Sequence, residues 1–488
     1  MSRIHWSNQW IFILAAIGSA AGLGNLWRFP YLAYENGGAA FVVAFIIANI
    51  LIGIPLLLLE IGLGQKSQKG APDALATIKS SYRYLGWAAV MMGFLVLTYY
   101  MVVVSYGVNY FAASFRLDWV PDASTFFFTD LLQITDSPLQ MGGMAWGVFA
   151  GLLVGWVLVY FSSWKGVKSI SKVVVWTATL PFVILGLLAL RAVTLDGAMD
   201  GLRLFFVPDW SLLLSSSLWL AAFSQVFFTL SIAFGIMFAY GSLKRVESEI
   251  TKSVVIVAAG NFLVSLLSGI VVFGTLGYMA LQQGVAVTDV VAAGPGLVFV
   301  VFPEAINLLP AFNATIGVLF FTMLLLLAID SAFSLLEALS VSIRDRMHGA
   351  SIEKIAFVIS IFGIIMGMLY STKAGLYYLD ITDHFVVSYG LIIVGLLQAI
   401  LVGWSAKGTE LINFIENRSK LHLKKLWLFS IKYLTPVFLI ILLFLNIKQE
   451  LSENYEGYPT EALIYVGLVP LLFAPIVGYI LDRLIKKS

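Results

Sequence analysis

Thirteen consecutive residues, Gly18-Ser19-Ala20-Ala21-Gly22-Leu23-Gly24-Asn25-Leu26-Trp27-Arg28-Phe29-Pro30, hold the densest polar chemistry of an otherwise apolar stretch. Glycines at 18, 22 and 24, followed by Asn, Arg and Pro, make a poor continuous helix, so backbone N–H and C=O groups are left free. Free amides attract anions and free carbonyls attract cations. A lone acid, Asp330, ends the run Leu324-Leu325-Leu326-Leu327-Ala328-Ile329. An intramembrane carboxylate is expensive unless it serves an ion or a proton, with a neutralised structural carboxyl as the plainer alternative. The available chemistry is binding, not bond-making. With no cysteine there are no disulfides, thiolate metal sites or sulfur nucleophiles, and four histidines with no clustered acid–base set argue against an enzyme.

These residues need a membrane scaffold around them. The 488-residue chain is 60% hydrophobic and 11% charged, with mean hydropathy +0.94, and apolar runs long enough to cross a bilayer recur throughout. A net charge of +2 gives no reason to expect nucleic-acid binding. Twelve hydrophobic helices are predicted at about 8–34, 38–65, 82–115, 141–161, 168–190, 213–242, 251–281, 312–345, 352–370, 380–405, 427–448 and 461–484. Loops 66–83, 163–172 and 406–426 are rich in Lys and Arg, whereas 116–140 and 449–461 are acidic. The positive-inside rule then expects both termini in the cytoplasm of a multi-pass plasma (inner) membrane protein. The short polar start, Met1 to Gln9, shows no cleavable signal, so the first helix is expected to stay. No separate soluble domain is expected. Three prolines, Pro295, Pro303 and Pro310, suggest short helices over the outer face in 282–311.

A second interruption lies in the sixth span, Gln225-Val226-Phe227-Phe228-Thr229-Leu230-Ser231-Ile232-Ala233-Phe234-Gly235. Small residues can simply permit close helix packing. Paired interruptions in corresponding helices point instead to a transporter site between two repeats. Spans 1–5 and 6–10 then form a 5+5 inverted repeat (1–190 and 213–405), followed by two additional helices (427–488). The fold class is all-α and polytopic, with helices 1 and 6 broken.

Gly22 to Pro30, Glu35-Asn36-Gly37-Gly38, Gln225 to Ser231 and Asp330-Ser331 together resemble the signature of the neurotransmitter:sodium symporter family. The resemblance runs from about Arg3 to the last helix. Short termini, a compact 116–140 loop and no outer-loop cysteine pair resemble its bacterial amino acid carriers of the leucine-transporter type. The resemblance implies that the amides of Leu23 and Gly24 and the hydroxyl of Tyr100 take a substrate carboxylate. The ammonium goes to carbonyls of Ala20, Phe228 and Thr229 and to Ser231. Gly22 stands where monoamine carriers of the family place an aspartate, which favours an amino acid substrate. Val96, Phe228, Phe234, Ser331 and Leu335 surround the side chain, with Ile232 and Ala233 nearby. This lining carries no charge, so a neutral hydrophobic substrate is expected. Ala233, where many relatives have glycine, is expected to trim the site toward aliphatic side chains.

The resemblance further implies two sodium sites. The first uses the Ala20 carbonyl, Asn25, Thr229, Asn261 and a substrate carboxylate oxygen, so ion and substrate strengthen each other's binding. The second uses carbonyls of Gly18, Ala21 and Leu327 with Asp330 and Ser331. Chloride stays open: Ser265 matches chloride-dependent members, but Phe45 replaces a tyrosine that would be a ligand. Arg28 and Asp383 match an outer charge pair above a lid of Tyr100 and Phe228. Arg3 and Asp345, with Trp6, match an inner one, although Leu243 replaces a family tyrosine. Glu60 matches a carboxyl that supports the broken sixth span. Ten residues after Gly166 stands Trp176 where some relatives have proline, which leaves unwinding of the fifth span in doubt. The expected function is sodium-coupled import of a neutral, aliphatic L-amino acid by alternating access. The alternatives are a carrier for aromatic amino acids such as tryptophan, or a receptor or channel on the same scaffold. Membrane lipid is the expected surround, and a monomer or homodimer the expected state.

Overall fold

The computed structural model describes residues 4–347 and 349–485; Arg3 of the expected inner pair lies outside them. No strands form among the described residues. Ten helices are long and apolar enough to cross a membrane, and two bent pairs raise this to twelve. The first span is one such pair, Gln9–Ala20 and Leu23–Glu35, bent by 55°. In the second pair, segment 198–214 turns by 119° into Ser216–Thr229. Segment 191–212, which falls between the predicted fifth and sixth spans, contains the helix Ala198–Phe206. The sixth span therefore consists of Ser216–Thr229 and, after a break, Ile236–Ser242. A helix over Gly294–Leu308 occupies the proline-rich outer segment as expected.

Both breaks follow from backbone chemistry. Ala21 and Gly22 leave the helical region, and the Gly22 N–H is taken by Asn25 Oδ1 at 3.1 Å. In the sixth span Ser231, Ala233 and Gly235 have φ of 53°, 70° and 79°. Only glycine adopts that region freely, so Ser231 and Ala233 each store about 1–2 kcal/mol. The breaks supply each other's missing partners: Ser231 Oγ donates to Ser19 O at 2.9 Å. Glu60, from the second span Ala39–Ser67, accepts from Ala233 N–H at 2.9 Å, as the resemblance implies.

Several spans also contain a π-helical turn that the hydrophobic pattern does not reveal, among them Asn49–Gly53, Val386–Gly390 and Leu463–Leu468. Neighbouring helices bond carbonyls in or beside these turns. Trp427 Nε1 donates to Pro55 O at 3.0 Å, Asn446 Nδ2 to Ser388 O at 2.8 Å and Thr382 Oγ1 to Val466 O at 3.0 Å. Without water in the hydrocarbon such carbonyls need protein donors, so these bonds fix which spans adjoin. On the Lys/Arg-rich face, called the inner face below, Asp73 pairs with Arg83 at 2.9 Å and Arg346 with Asp482 at 3.2 Å. This buried cluster ties the last span, Thr460–Ile485, to the third, Ser80–Ser114, where Trp87 Nε1 also bonds Asp482.

Candidate functional site

The two breaks face a chamber of about 390 Å³. Leu23 and Gly24 are the first residues of the helix Leu23–Glu35, so their N–H groups have no acceptor within it. Both line the chamber with Tyr100, whose hydroxyl is buried without a hydrogen-bond partner. Three donors at the positive end of a helix thus await an anion. On the opposite side, the helices Gln9–Ala20 and Ser216–Thr229 end with their negative poles toward the same space, which Ala20, Thr229 and Ser231 line. A Cβ at Gly22 would lie 2.8 Å from Ser331 Oγ and 3.6 Å from the Tyr100 hydroxyl. Glycine therefore keeps the anion end open. A Cβ at Gly24 would overlap the Phe228 ring, so Gly24 lets that ring close over the break.

The apolar end is built by Val96, Phe228, Phe234 and Leu335, all of which line the chamber as expected. Ile232 and Ala233 do not line it. The positive φ at 233 turns the residue away from the chamber, and its side chain is fully buried. The expectation that Ala233 trims the site is thereby corrected. Ile236, the first residue after the break, does line it, although the sequence pattern does not single it out. The break between Thr229 and Ile236 interrupts helical spacing, so the sequence carries no signal for it.

The expected first sodium set converges. Thr229 Oγ1 lies 2.9 Å from Asn25 Oδ1, 3.0 Å from Asn261 Oδ1 and 3.5 Å from Ala20 O. These are hard oxygen donors, which suit an alkali cation. At the second set, a Cβ on Gly18 would overlap Asp330 Oδ2, and Ser331 Oγ lies 3.4 Å from Leu327 O. Asp330 is 1% exposed and neither of its carboxyl oxygens has a hydrogen-bond partner. A bare carboxyl in that setting is strongly unfavourable without a cation or proton, so the residues fit sodium. Around Ser265, Asn25 Nδ2 donates to its hydroxyl at 2.8 Å, while Phe45 packs on Phe29 at 5.1 Å. Gln225 Oε1 and Ser268 Oγ are also buried and unpartnered.

The outer pair is not joined. Arg28 donates to Ser224 Oγ at 2.9 Å and lies 5.1 Å from the Phe228 ring centroid, while Asp383 accepts from the Tyr99 hydroxyl at 2.6 Å. Arg28 and Asp383 both line the upper chamber, so the path on this side is open. The inner side is closed. Trp6 Nε1 donates to Tyr240 O at 3.0 Å and Trp6 N–H to Leu243 O at 2.9 Å. Asp345 Oδ2 accepts from Gly70 N–H at 2.7 Å. Lys244 is an additional inner element. It is 3% exposed, with Nζ 3.0 Å from Glu249 O and 4.0 Å from the Phe12 ring centroid.

Spanning helices broken around a polar chamber that is closed on one side and open on the other define a polytopic membrane transporter. The chain belongs to the sodium:neurotransmitter symporter family, which it matches over residues 3–123 and 120–484. It is 37% identical over 489 residues to an uncharacterized sodium-dependent transporter of Methanocaldococcus jannaschii, covering 99% of this chain and 98% of that protein. It is 37% identical over 436 residues to the Drosophila melanogaster sodium- and chloride-dependent GABA transporter ine, covering 82% of this chain and 46% of that protein, less than half its length. The human sodium- and chloride-dependent GABA transporter 2 is 31% identical over 477 residues, covering 89% of this chain and 78% of that protein. The protein is thus a sodium-dependent symporter and not an enzyme.

Proposed function

We propose that this protein imports a neutral, apolar L-amino acid together with two sodium ions, by alternating exposure of the central chamber. The observation that carries this reading is the opposition of helix poles. Donors at Leu23, Gly24 and Tyr100 face carbonyl ends at Ala20 and Thr229 across one small space. That arrangement suits a zwitterion. The apolar part of the wall is Val96, Phe228, Phe234, Ile236 and Leu335, none of which can pair a charged substrate side chain; the charged lining residues Arg28, Asp380 and Asp383 belong to the upper chamber with the outer pair. Ile236 narrows the apolar end, which supports an aliphatic over an indole side chain.

In the first sodium site, the ion would share the substrate carboxylate with Ala20 O, Asn25, Thr229 and Asn261. Shared coordination couples the two binding free energies reciprocally. In the second, it would neutralise Asp330 between the first and eighth spans. Both termini would lie in the cytoplasm, and spans 1–5 and 6–10 would form inverted repeats that rock about the site.

Proteoliposome uptake driven by an inward sodium gradient tests the proposal. The expected result is saturable uptake of a neutral aliphatic amino acid, inhibited by its close analogues and weakly by tryptophan or GABA. A fixed sodium-to-substrate ratio separates a symporter from a receptor or channel. Equal or better uptake of GABA would move the reading to an ω-amino acid. Replacing chloride by gluconate determines whether the Ser265 region serves an anion.

A further inference from the structure

The fifth span, Val167–Val193, holds a polar turn that the resemblance does not account for. Trp176 is 71% exposed and takes no part in the interior. Pro181 lies inside the helix, and a proline has no N–H to give to the carbonyl four residues earlier, that of Thr177. Thr177 belongs to the buried stripe Val174, Thr177, Ala178 and Pro181. Its side chain faces Asp330 across the seam between the fifth and eighth spans. The hydroxyl is turned the other way and donates to Val173 O at 3.2 Å. Both Asp330 oxygens are left bare, with Gly18 of the first span against one of them. Three spans thus converge on one carboxyl, and one contributes a hydroxyl that lies beside it while bonded to its own helix.

We propose that Thr177 is a positioning residue for the Asp330 sodium site. With the ion bound, the hydroxyl turns from Val173 O to one carboxylate oxygen and leaves the other directed at sodium. When the ion departs, it returns to Val173 O. The turn leaves no orphan behind, because Val173 O keeps its helical bond from the Thr177 N–H. A threonine hydroxyl commonly bonds the carbonyl four residues back, so the ion-free position is an ordinary one. A missing helical rung at Pro181 makes this the adaptable turn of the span. The inference rests on the reading of Asp330 as a sodium ligand.

The absence of native cysteine permits a test with sodium alone. The substitution Val387→Cys places one thiol in the outer chamber, where a membrane-impermeant reagent labels it while sodium is titrated against choline. Thr177→Val keeps the shape and removes the hydroxyl. It is expected to raise the half-saturating sodium concentration roughly 10- to 100-fold, as for loss of a hydrogen bond to a charged group. Thr177→Ser is expected to restore the original value. An unchanged titration in Thr177→Val, or an equal shift in Thr177→Ser, would overturn the assignment. Asp330→Asn separates the two levels. If it abolishes the response while Thr177→Val titrates normally, only the role of Thr177 falls. If Asp330→Asn itself titrates normally, the sodium reading falls and the inference with it.

Discussion

A tyrosine hydroxyl buried without a partner has meaning only if something arrives to accept from it. Tyr100 is in that position at the anion end of the chamber. Removing a hydrogen bond to a charged acceptor costs about 1.5–3 kcal/mol, so Tyr100→Phe is expected to weaken substrate binding roughly 10- to 100-fold. Equilibrium binding in saturating sodium measures this, and an unchanged affinity would remove Tyr100 from the carboxylate site. Lys244 makes a second residue-scale prediction. It lies between the sixth and seventh spans, where burial pushes its ammonium down to about 7 against the raising effect of Glu249. A hydrated lysine titrates near 10.4. Between about pH 7 and 10, the form with the inner side open and Lys244 in water binds more protons than the closed form. Raising pH through that window on the inner side therefore favours closure, and below about 7 the dependence disappears. Labelling of the thiol in Val387→Cys at inside pH 7 and 9 checks the sign: more labelling is expected at pH 9, and Lys244→Met is expected to flatten the profile.

At the scale of elements, the breaks are held by side chains from elsewhere. Glu60 and Ser19 take the polar groups of the sixth span, and Asn25 caps the second half of the first. The sequence made the first break legible because glycines, Asn, Arg and Pro crowd into it. The second was legible only as small and hydroxyl residues in an apolar run, and its strained conformation at Ser231 and Ala233 was not. That strain gives a prediction which also tests the corrected role of Ala233. Ala233→Gly relieves a positive φ without touching the chamber wall. It is expected to raise stability by about 1 kcal/mol, read as a higher thermal midpoint, while substrate selectivity stays unchanged. A change in the ranking of competing amino acids would return Ala233 to the lining. The π-helical turns were invisible in the sequence because these spans are apolar on nearly every face, so the shift in phase from one extra residue displaces no polar stripe.

For the whole molecule, the proposed alternating access makes this structure one state of a cycle. Trp6, Tyr240, Leu243 and Asp345 seal the inner side, and the Arg28–Asp383 pair is open on the other. Such pairs are bistable elements that form on one side as they break on the other. Two single substitutions in the native cysteine-free chain report the switch. The thiol of Val387→Cys is expected to be labelled from outside in sodium and protected when substrate is added. That of Leu243→Cys is expected to react only without sodium. Labelling of both sites in the same condition would show a continuous pore instead of alternating access.

By itself the sequence determined the membrane class, the twelve-span count, the family signature and most chamber residues, because these reside in composition, long apolar runs and contiguous motifs. It also placed Asp330 in the membrane, where an unpaired charge is too costly to be incidental. Tertiary structure alone decided which side of the chamber is open, that Ala233 turns away while Ile236 faces in, that Lys244 packs over Phe12 and that Tyr99 bonds Asp383. Those facts depend on backbone angles at a break and on contacts between residues far apart in the chain. No local pattern encodes either, because each is fixed only when distant helices must satisfy one another's buried polar groups.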